Sequence, residues 1–371
     1  MSTEFCSGKR NNLLWLRAET KAFEQRTLLT PEAARQLLGN GYEVVVERSA
    51  QRIFEDEAYA NAGCRMVDTH AWHQAPEQAI ILGLKELDPA DGPFARRHVH
   101  FAHVFKDQQD WQITLRQHQC GGGILYDLEY LTDVSGKRIA AFGYWAGYVG
   151  AALSVLGYCA KSSGHVLNAL TAWEDKEALL ASVKSGLSNV RKKPNAMVIG
   201  ALGRCGAGAV ELLTACNLEI SAWDQMETAS GGPFDAILDH DIFINCVFVN
   251  SPLSPFITHH QLTNRTRRLQ VISDVSCDPH GQYNPVPIYN KCTTMDKPVD
   301  EIVAASQECA SLELIAIDHL PSLLPRESSE HFANQLLPTL LELRNPDSGV
   351  WKRAESVYRH HLTRLSAGDK S

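Results

Sequence analysis

NAMVIGALGRCGAGAVELLTACNLEISAWD, residues 195–224, sets an apolar run, four glycines and a second apolar run in line. AMVIG (196–200) has the length and content of a buried strand, and the glycines at 200, 203, 206 and 208 open an apolar helical pattern. The spacing is G-x-x-G-x-x-G rather than G-x-G-x-x-G, and an ordinary strand-to-helix turn has the same outline. Such a turn offers a bare backbone and the amides of a helix N-terminus, which together suit a pyrophosphate. Asp224 ends the next strand, LEISAWD (218–224), where its carboxylate can accept hydrogen bonds from ribose hydroxyls. From Cys205 to Asn264 there is no Lys or Arg, so a 2'-phosphate would find no local cation and NAD is favoured over NADP.

Outward from this turn, strands and helices alternate. Upstream, LLWLR (13–17), YEVVVE (42–47), CRMV (64–67), AIILGL (79–84) and HVHFAHVF (98–105) read as strands, and Thr30 caps a helix that begins with Pro31. Downstream, IFINCVFV (242–249), LQVISDVS (269–276) and LIAID (314–318) read as strands, and residues 174–193 as a surface helix and linker. The order predicts an α/β protein with two Rossmann-like domains, parallel sheets and a cleft between them. We assign 1–141 plus 327–371 to a substrate-binding, catalytic domain and 142–326 to an NAD-binding Rossmann domain, with the helical tail returning to the first.

The 371 residues exceed what one core usually serves, and the net charge of -8 without a basic cluster argues against nucleic acid or anionic lipid as partner. The opening MSTEFCSGKRNN lacks an apolar signal core, which favours a cytoplasmic address. The ten cysteines show no C-x-x-C pair and no zinc-site spacing, so free thiols and no metal are expected. Ile139 to Ala160 runs 22 residues without a charge, long enough for a bilayer, yet it is rich in Gly and Ala and has no companion span. Glycines 143, 147, 150 and 157 would let such a helix approach its neighbours closely, in a buried core as in a membrane dimer. With no other targeting signal, a buried helix is the expectation.

Lys85 closes AIILGL and His103 lies near the end of HVHFAHVF. Parallel sheets bind ligands outside the carboxyl ends of their strands, so both side chains can face one crevice as a proton-transfer pair. Strand-end lysines are usually solvated and lone histidines usually structural, so the pattern alone does not assign a role.

WLRAETKAFEQRTLLTP, LGLKE, FAHVFKDQ, LYDLEYL, AAFGYWAG, IGALGRCGAGA, FINC and IDHLPSLLPRE occur in that order. Together they resemble the saccharopine dehydrogenases of the NAD-dependent, lysine-forming type, relatives of the alanine dehydrogenases and transhydrogenases. The resemblance implies reversible oxidative deamination of saccharopine to lysine and 2-oxoglutarate, the last step of lysine biosynthesis by the α-aminoadipate route. It makes Lys85 the base at the substrate's secondary amine and His103 the acid-base group for water addition and carbinolamine collapse.

It further implies substrate contacts from Arg26, Lys85, Gln108, Arg138 and Phe142, with Glu86 and Glu129 tuning the local charge. For NAD it implies Gly203, Arg204, Asp224, Thr228, Phe248, Val275, Ser276, Asp278, Ile317, Asp318, His319 and Leu320. Cys205 and Cys246 match a pair able to form a disulfide, expected here as thiols with the bond a redox option. Lys137 stands where Arg is common and Phe248 where an aromatic hydroxyl is common, and the loop at 277–289 is worded differently. GDKS at the C-terminus is not a peroxisomal tripeptide, and a monomer is expected. A related opine or imine dehydrogenase acting on another amino acid and 2-oxo acid is the alternative. A sensor that kept the fold but lost catalysis has no use for Lys85, His103 and Arg26 together.

Overall fold

LLWL, VVV and IIL are short apolar runs, the last two rich in β-branched residues, and all three become neighbouring strands of one parallel sheet. The computed structural model describes residues 12–105, 111–249, 251–264 and 266–368. The chain divides into two units, Met1–Ala141 with Ser328–Ser371, and Phe142–Glu327.

In chain order the first unit runs β1 (Leu13–Leu16), α1 (Pro31–Gly39), β2 (Glu43–Glu47), α2 (Asp56–Ala62), β3 (Arg65–Val67), β4 (Ile80–Leu82), β5 (Arg97–His100), α3 (Trp111–Gly121) and β6 (Ile124–Asp127). Its six strands lie in the order β3-β2-β1-β4-β5-β6, all parallel. Chain order reverses between β1 and β4, the position at which such sheets bind ligands. Thr30 Oγ1 accepts from the Ala33 amide at 3.2 Å and Pro31 occupies the first helical turn, as the sequence predicts. One buried carboxylate ties β1 to β2 and the loop beyond β3. Glu47 accepts from Trp15 Nε1 at 3.1 Å and from the amides of Ala18, His70 and Trp72 at 2.9, 3.1 and 2.6 Å.

The second unit contains α4 (Gly143–Ser162), α5 (Lys176–Ser188), β7 (Asn195–Ile199), α6 (Arg204–Ala215), β8 (Glu219–Trp223), β9 (Ile242–Asn245), α7 (His259–Asn264), β10 (Val271–Asp274), β11 (Asp300–Val303) and β12 (Leu312–Ile315). The order is β11-β12-β10-β9-β7-β8, parallel except for β11. Two apolar cores lie against this sheet, one built on α4 and α6 and the other on Phe234, Phe243 and Phe256. After it come α8 (Pro325–Leu341), which belongs to the first unit from Ser328 on, and α9 (Gly349–Gly368). Within the first unit, Tyr358 of α9 donates to the Gly123 carbonyl at 2.8 Å, and Tyr42 to the Leu340 carbonyl at 3.0 Å.

The uncharged stretch forms α4, and among the described residues no helix is long and apolar enough to cross a membrane. Its glycines serve close packing instead. A Cβ on Gly147 would lie 2.9 Å from Cys205 Cα, and one on Gly208 would lie 2.9 Å from the Tyr148 amide nitrogen. Small residues on both helices let α4 and α6 touch backbone to backbone.

Several strands are shorter than the sequence predicts. HVHFAHVF leaves the ladder after His100, because its partner β6 ends at Asp127 directly opposite. IFINCVFV stops at Asn245, whose own Oδ1 accepts from the Val247 amide at 3.2 Å and turns the chain. Two strands went unread: β6, whose apolar run is only ILY, and β11, a four-residue antiparallel edge that is half acidic.

Candidate active site

The reversal between β1 and β4 brings the polar residues after both strands together. Lys85 follows β4, and its ammonium lies 3.9 Å from Glu24 Oε2 with the lysine side chain 26% exposed. Arg26 grips the same carboxylate in bidentate fashion, Nε to Oε1 at 2.8 Å and Nη2 to Oε2 at 2.6 Å. Both are almost fully buried. Burial would raise the Glu24 pKa, but the Arg26 charge and hydrogen bonds, with Lys85 adding, hold it below its ordinary value. The cluster is therefore an anion clasped by two cations.

His103 lies beyond the strand rather than within it, in a left-handed backbone conformation with φ of 55°, stacked on Phe101. The displacement puts the ring on a loop, where a short segment can aim it off the sheet. Glu86 takes Lys21 as partner at 2.6 Å, and Glu129 takes Arg138 at 3.4 Å. The two acids expected to tune the site thus carry cations of their own, with Lys85 a lesser influence on Glu86. Lys137 sits exposed in a turn closed by Asp133, and Gln108 lies outside the described residues. Phe142 stands at the start of α4, in the second unit.

Sequence reasoning missed three buried charges in this edge. Glu24 and Glu19 sit in AETKAFEQR, which reads as a hydrophilic loop, and Asp127 ends a strand that was not recognised. Asp127 is 1% exposed, and burial pushes its carboxyl up to about 7. Asp127 ends β6, while Glu19 and Glu24 lie in the loop after β1, so position in the chain was the only signal for any of them.

In the second unit the glycine turn lines a pocket of about 400 Å³. Gly200, Gly203, Asp224, Thr228, Cys246 and Phe248 all contribute to it. Gly200 has φ of +87°, and a Cβ on Gly206 would lie 2.5 Å from Ala201 Cα, so neither position accepts a side chain cheaply. Gly203 precedes α6, whose first turn begins with Arg204 and Cys205. Asp224 Oδ2 accepts from the Leu202 amide and Oδ1 from that of Gln225, each at 2.9 Å. The carboxylate closes the turn while keeping lone pairs for ribose hydroxyls. Thr228 Oγ1 donates to the Asp224 carbonyl at 2.8 Å, and Phe248 is 64% exposed at the rim. A cradle that a Cβ would fill, a helix N-terminus and an acid at the second strand end all fit NAD.

The remaining cofactor expectations divide. Ser276 is fixed by the buried Asp274, its amide at 3.1 Å and its hydroxyl at 2.7 Å, and Asn245 Nδ2 reaches the same carboxylate at 2.9 Å. Asp278 follows in the loop, and Val275 presses on α4, where a Gly150 Cβ would come within 2.7 Å of it. Ile317 and Leu320 are each 1% exposed and packed in the core, so only Asp318 and His319 of that stretch present side chains outward. Cys205 and Cys246 are both free thiols, with no bond between them. Burial, with Cys205 adding, raises the Cys246 thiol well above its ordinary value. Among the described residues no group of His, Cys, Asp and Glu has the arrangement of a metal site.

Residues 15–149 match the family described as alanine dehydrogenase/PNT, N-terminal domain. An L-alanine dehydrogenase superposes with a TM-score of 0.63 at 18% identity, over 90% of each chain. A transhydrogenase from Sinorhizobium meliloti gives 0.62 at 14% identity, over 92% of this chain and 97% of the other. These likenesses show the fold: two Rossmann-like units in one chain. Over 96% of its length the chain is 44% identical to the saccharopine dehydrogenase (NAD(+), L-lysine-forming) of Emericella nidulans, covering 98% of that protein. It is 43% identical to the one from Candida albicans, over 95% of this chain and 98% of the other, and 42% to that from Schizosaccharomyces pombe, over 95% and 99%. The chain belongs to the NAD-dependent, L-lysine-forming saccharopine dehydrogenase family.

Proposed function

We propose that this chain catalyses the reversible conversion of saccharopine, NAD+ and water to lysine, 2-oxoglutarate, NADH and a proton. Saccharopine is a secondary amine that joins lysine to a glutarate carbon. Bound NAD supplies a hydride acceptor for that carbon. The protein's share is to hold the amine, move its proton and manage the water that cleaves the resulting imine. Lys85 in its neutral form takes the amine proton, and His103 relays protons as water adds and the carbinolamine collapses.

The observation that carries this reading is the Lys85–Glu24–Arg26 cluster at the reversal of the first sheet. Glu24 fixes Arg26 in a bidentate grip beside Lys85, which supplies a set cation for a substrate carboxylate. Arg138, exposed and paired to Glu129, is a second cation for a substrate with three carboxylates. NAD is held by Gly203, Asp224, Thr228 and the amides opening α6, with Ser276, Asp278 and Asp318 toward the reacting end. We assign the enzyme to the cytoplasm, a reducing compartment in which Cys205 and Cys246 would remain thiols.

NADH oxidation with lysine and 2-oxoglutarate, each omitted in turn, tests the proposal. Turnover is expected only with both. No rate with the pair, or a faster rate when ornithine replaces lysine or pyruvate replaces 2-oxoglutarate, would move the chain to another opine or imine.

A further inference from the structure

The backbone that carries Lys85 is held by side chains from the neighbouring strand end. Glu19 Oε1 accepts the Leu84 amide at 2.6 Å, and its Oε2 accepts the Lys85 amide at 3.0 Å. Arg17 Nη1 lies 3.3 Å from Glu19 Oε2, while its Nη2 donates to the Lys85 carbonyl. Both backbone groups of Lys85 are therefore bonded to this pair, whose side chains are 3% and 8% exposed. The Leu84 carbonyl accepts from the Phe101 amide at 3.0 Å, two residues before His103. Gly83 leaves the room for this: a Cβ there would fall within 2.5 Å of the Arg17 guanidinium.

A buried ion pair is a poor source of stability, because desolvation offsets most of its attraction. Two charges spent on the backbone of one strand-end lysine call for another account. We propose that Arg17 and Glu19 form a brace that positions Lys85, with Gly83 present to admit it. This rests on the assignment of Lys85 as the acid-base residue. Neither brace residue needs to touch substrate; they act by fixing where the Lys85 side chain starts, and a displacement of about 1 Å at a reacting group can cost on the order of 100-fold in rate.

The test uses the full chain and three variants, with turnover expressed per NADH-binding site titrated by fluorescence. Glu19→Gln keeps the size of the side chain but puts an amide NH2 against a backbone donor. It is expected to lower kcat about tenfold, with the KM for NADH within about twofold of the parent. Gly83→Ala, which dislodges Arg17 without altering either brace residue, is expected to lower kcat by at least as much. A structural role alone would reduce the number of binding sites and the melting temperature but leave kcat per site unchanged. Per-site kcat within threefold of the parent in Glu19→Gln overturns the proposal, whatever the yield of Gly83→Ala. Lys85→Met is the control for the underlying assignment. If it turns over normally, the role of Lys85 has failed; if it is inactive while Glu19→Gln is normal, only the brace has.

Discussion

At the carboxyl edge of the first sheet the functional groups are long charged side chains delivered by separate strand ends. At the corresponding edge of the second they are glycines, backbone amides and one carboxylate within a single strand-turn-helix-strand run. The first edge has Lys85, Glu24 and Arg26 in one ionic cluster, the second an ordered turn closed by Asp224. A site that moves protons needs groups that titrate, and it must hold them against their own repulsion and desolvation. A site that holds a dinucleotide needs shape and aligned amide dipoles, which glycine and a helix N-terminus supply without side chains.

If that division is right, mutations at the two edges separate kinetically. Lys85→Met is expected to lower kcat by roughly 100-fold or more, with NADH affinity nearly intact, because it removes a general base and no cofactor contact. Asp224→Asn is expected to do the reverse. It weakens one or two charge-assisted hydrogen bonds, raising the NADH KM by about tenfold, with kcat within about twofold. NADPH should be discriminated against less strongly, since the repelling charge is gone. Steady-state kinetics with NADH and NADPH on both variants would settle the matter; the same parameter falling in both would break the division.

The two edges also differ in how far they can be read from the chain. The dinucleotide turn is local, with turn, helix and closing acid inside residues 195–224, so glycine spacing and a gap in basic residues sufficed. The first site is assembled from residues near 17–26, 85, 103 and 127, and its parts meet only when the sheet order is known. Lys85 and His103 were legible as strand-end residues, although the loop conformation of His103 was not. Arg26 came through resemblance alone. Glu19 and Glu24 left no trace in the hydrophobic pattern, because AETKAFEQR looks like solvated loop whether its charges face water or one another.

The cost of packing charge and titratable rings into the first unit is also measurable as acid sensitivity. His98, His100 and His118 are buried, and among the described residues neither ring nitrogen of His98 or His118 has a hydrogen-bond partner. Burial, with the neighbouring rings and Arg17 adding for His98 and His100, holds all three neutral far below the ordinary 6.5, His118 down to about 3. Below pH 6.5 the unfolded chain takes up protons that these rings refuse until pH falls much further. Their contribution is therefore whole above about pH 6.5 and is lost as pH falls below it, that of His118 as pH approaches about 3. Asp127 acts in the opposite sense. Its carboxyl titrates at about 7 when folded against 3.8 as a free side chain, so its contribution is whole below 3.8 and is lost as pH rises through 7. Each unmatched proton changes stability by about 1.4 kcal/mol per pH unit, and three rings outweigh one carboxyl. The melting temperature is thus expected to climb between pH 4 and 6.5. His118→Leu should flatten that climb and Asp127→Asn should steepen it, each by about one proton, or about 1.4 kcal/mol per pH unit. Calorimetric melting across this range checks both signs, and two variants whose profiles merely parallel the parent would show that these groups titrate alike in the folded and unfolded chains.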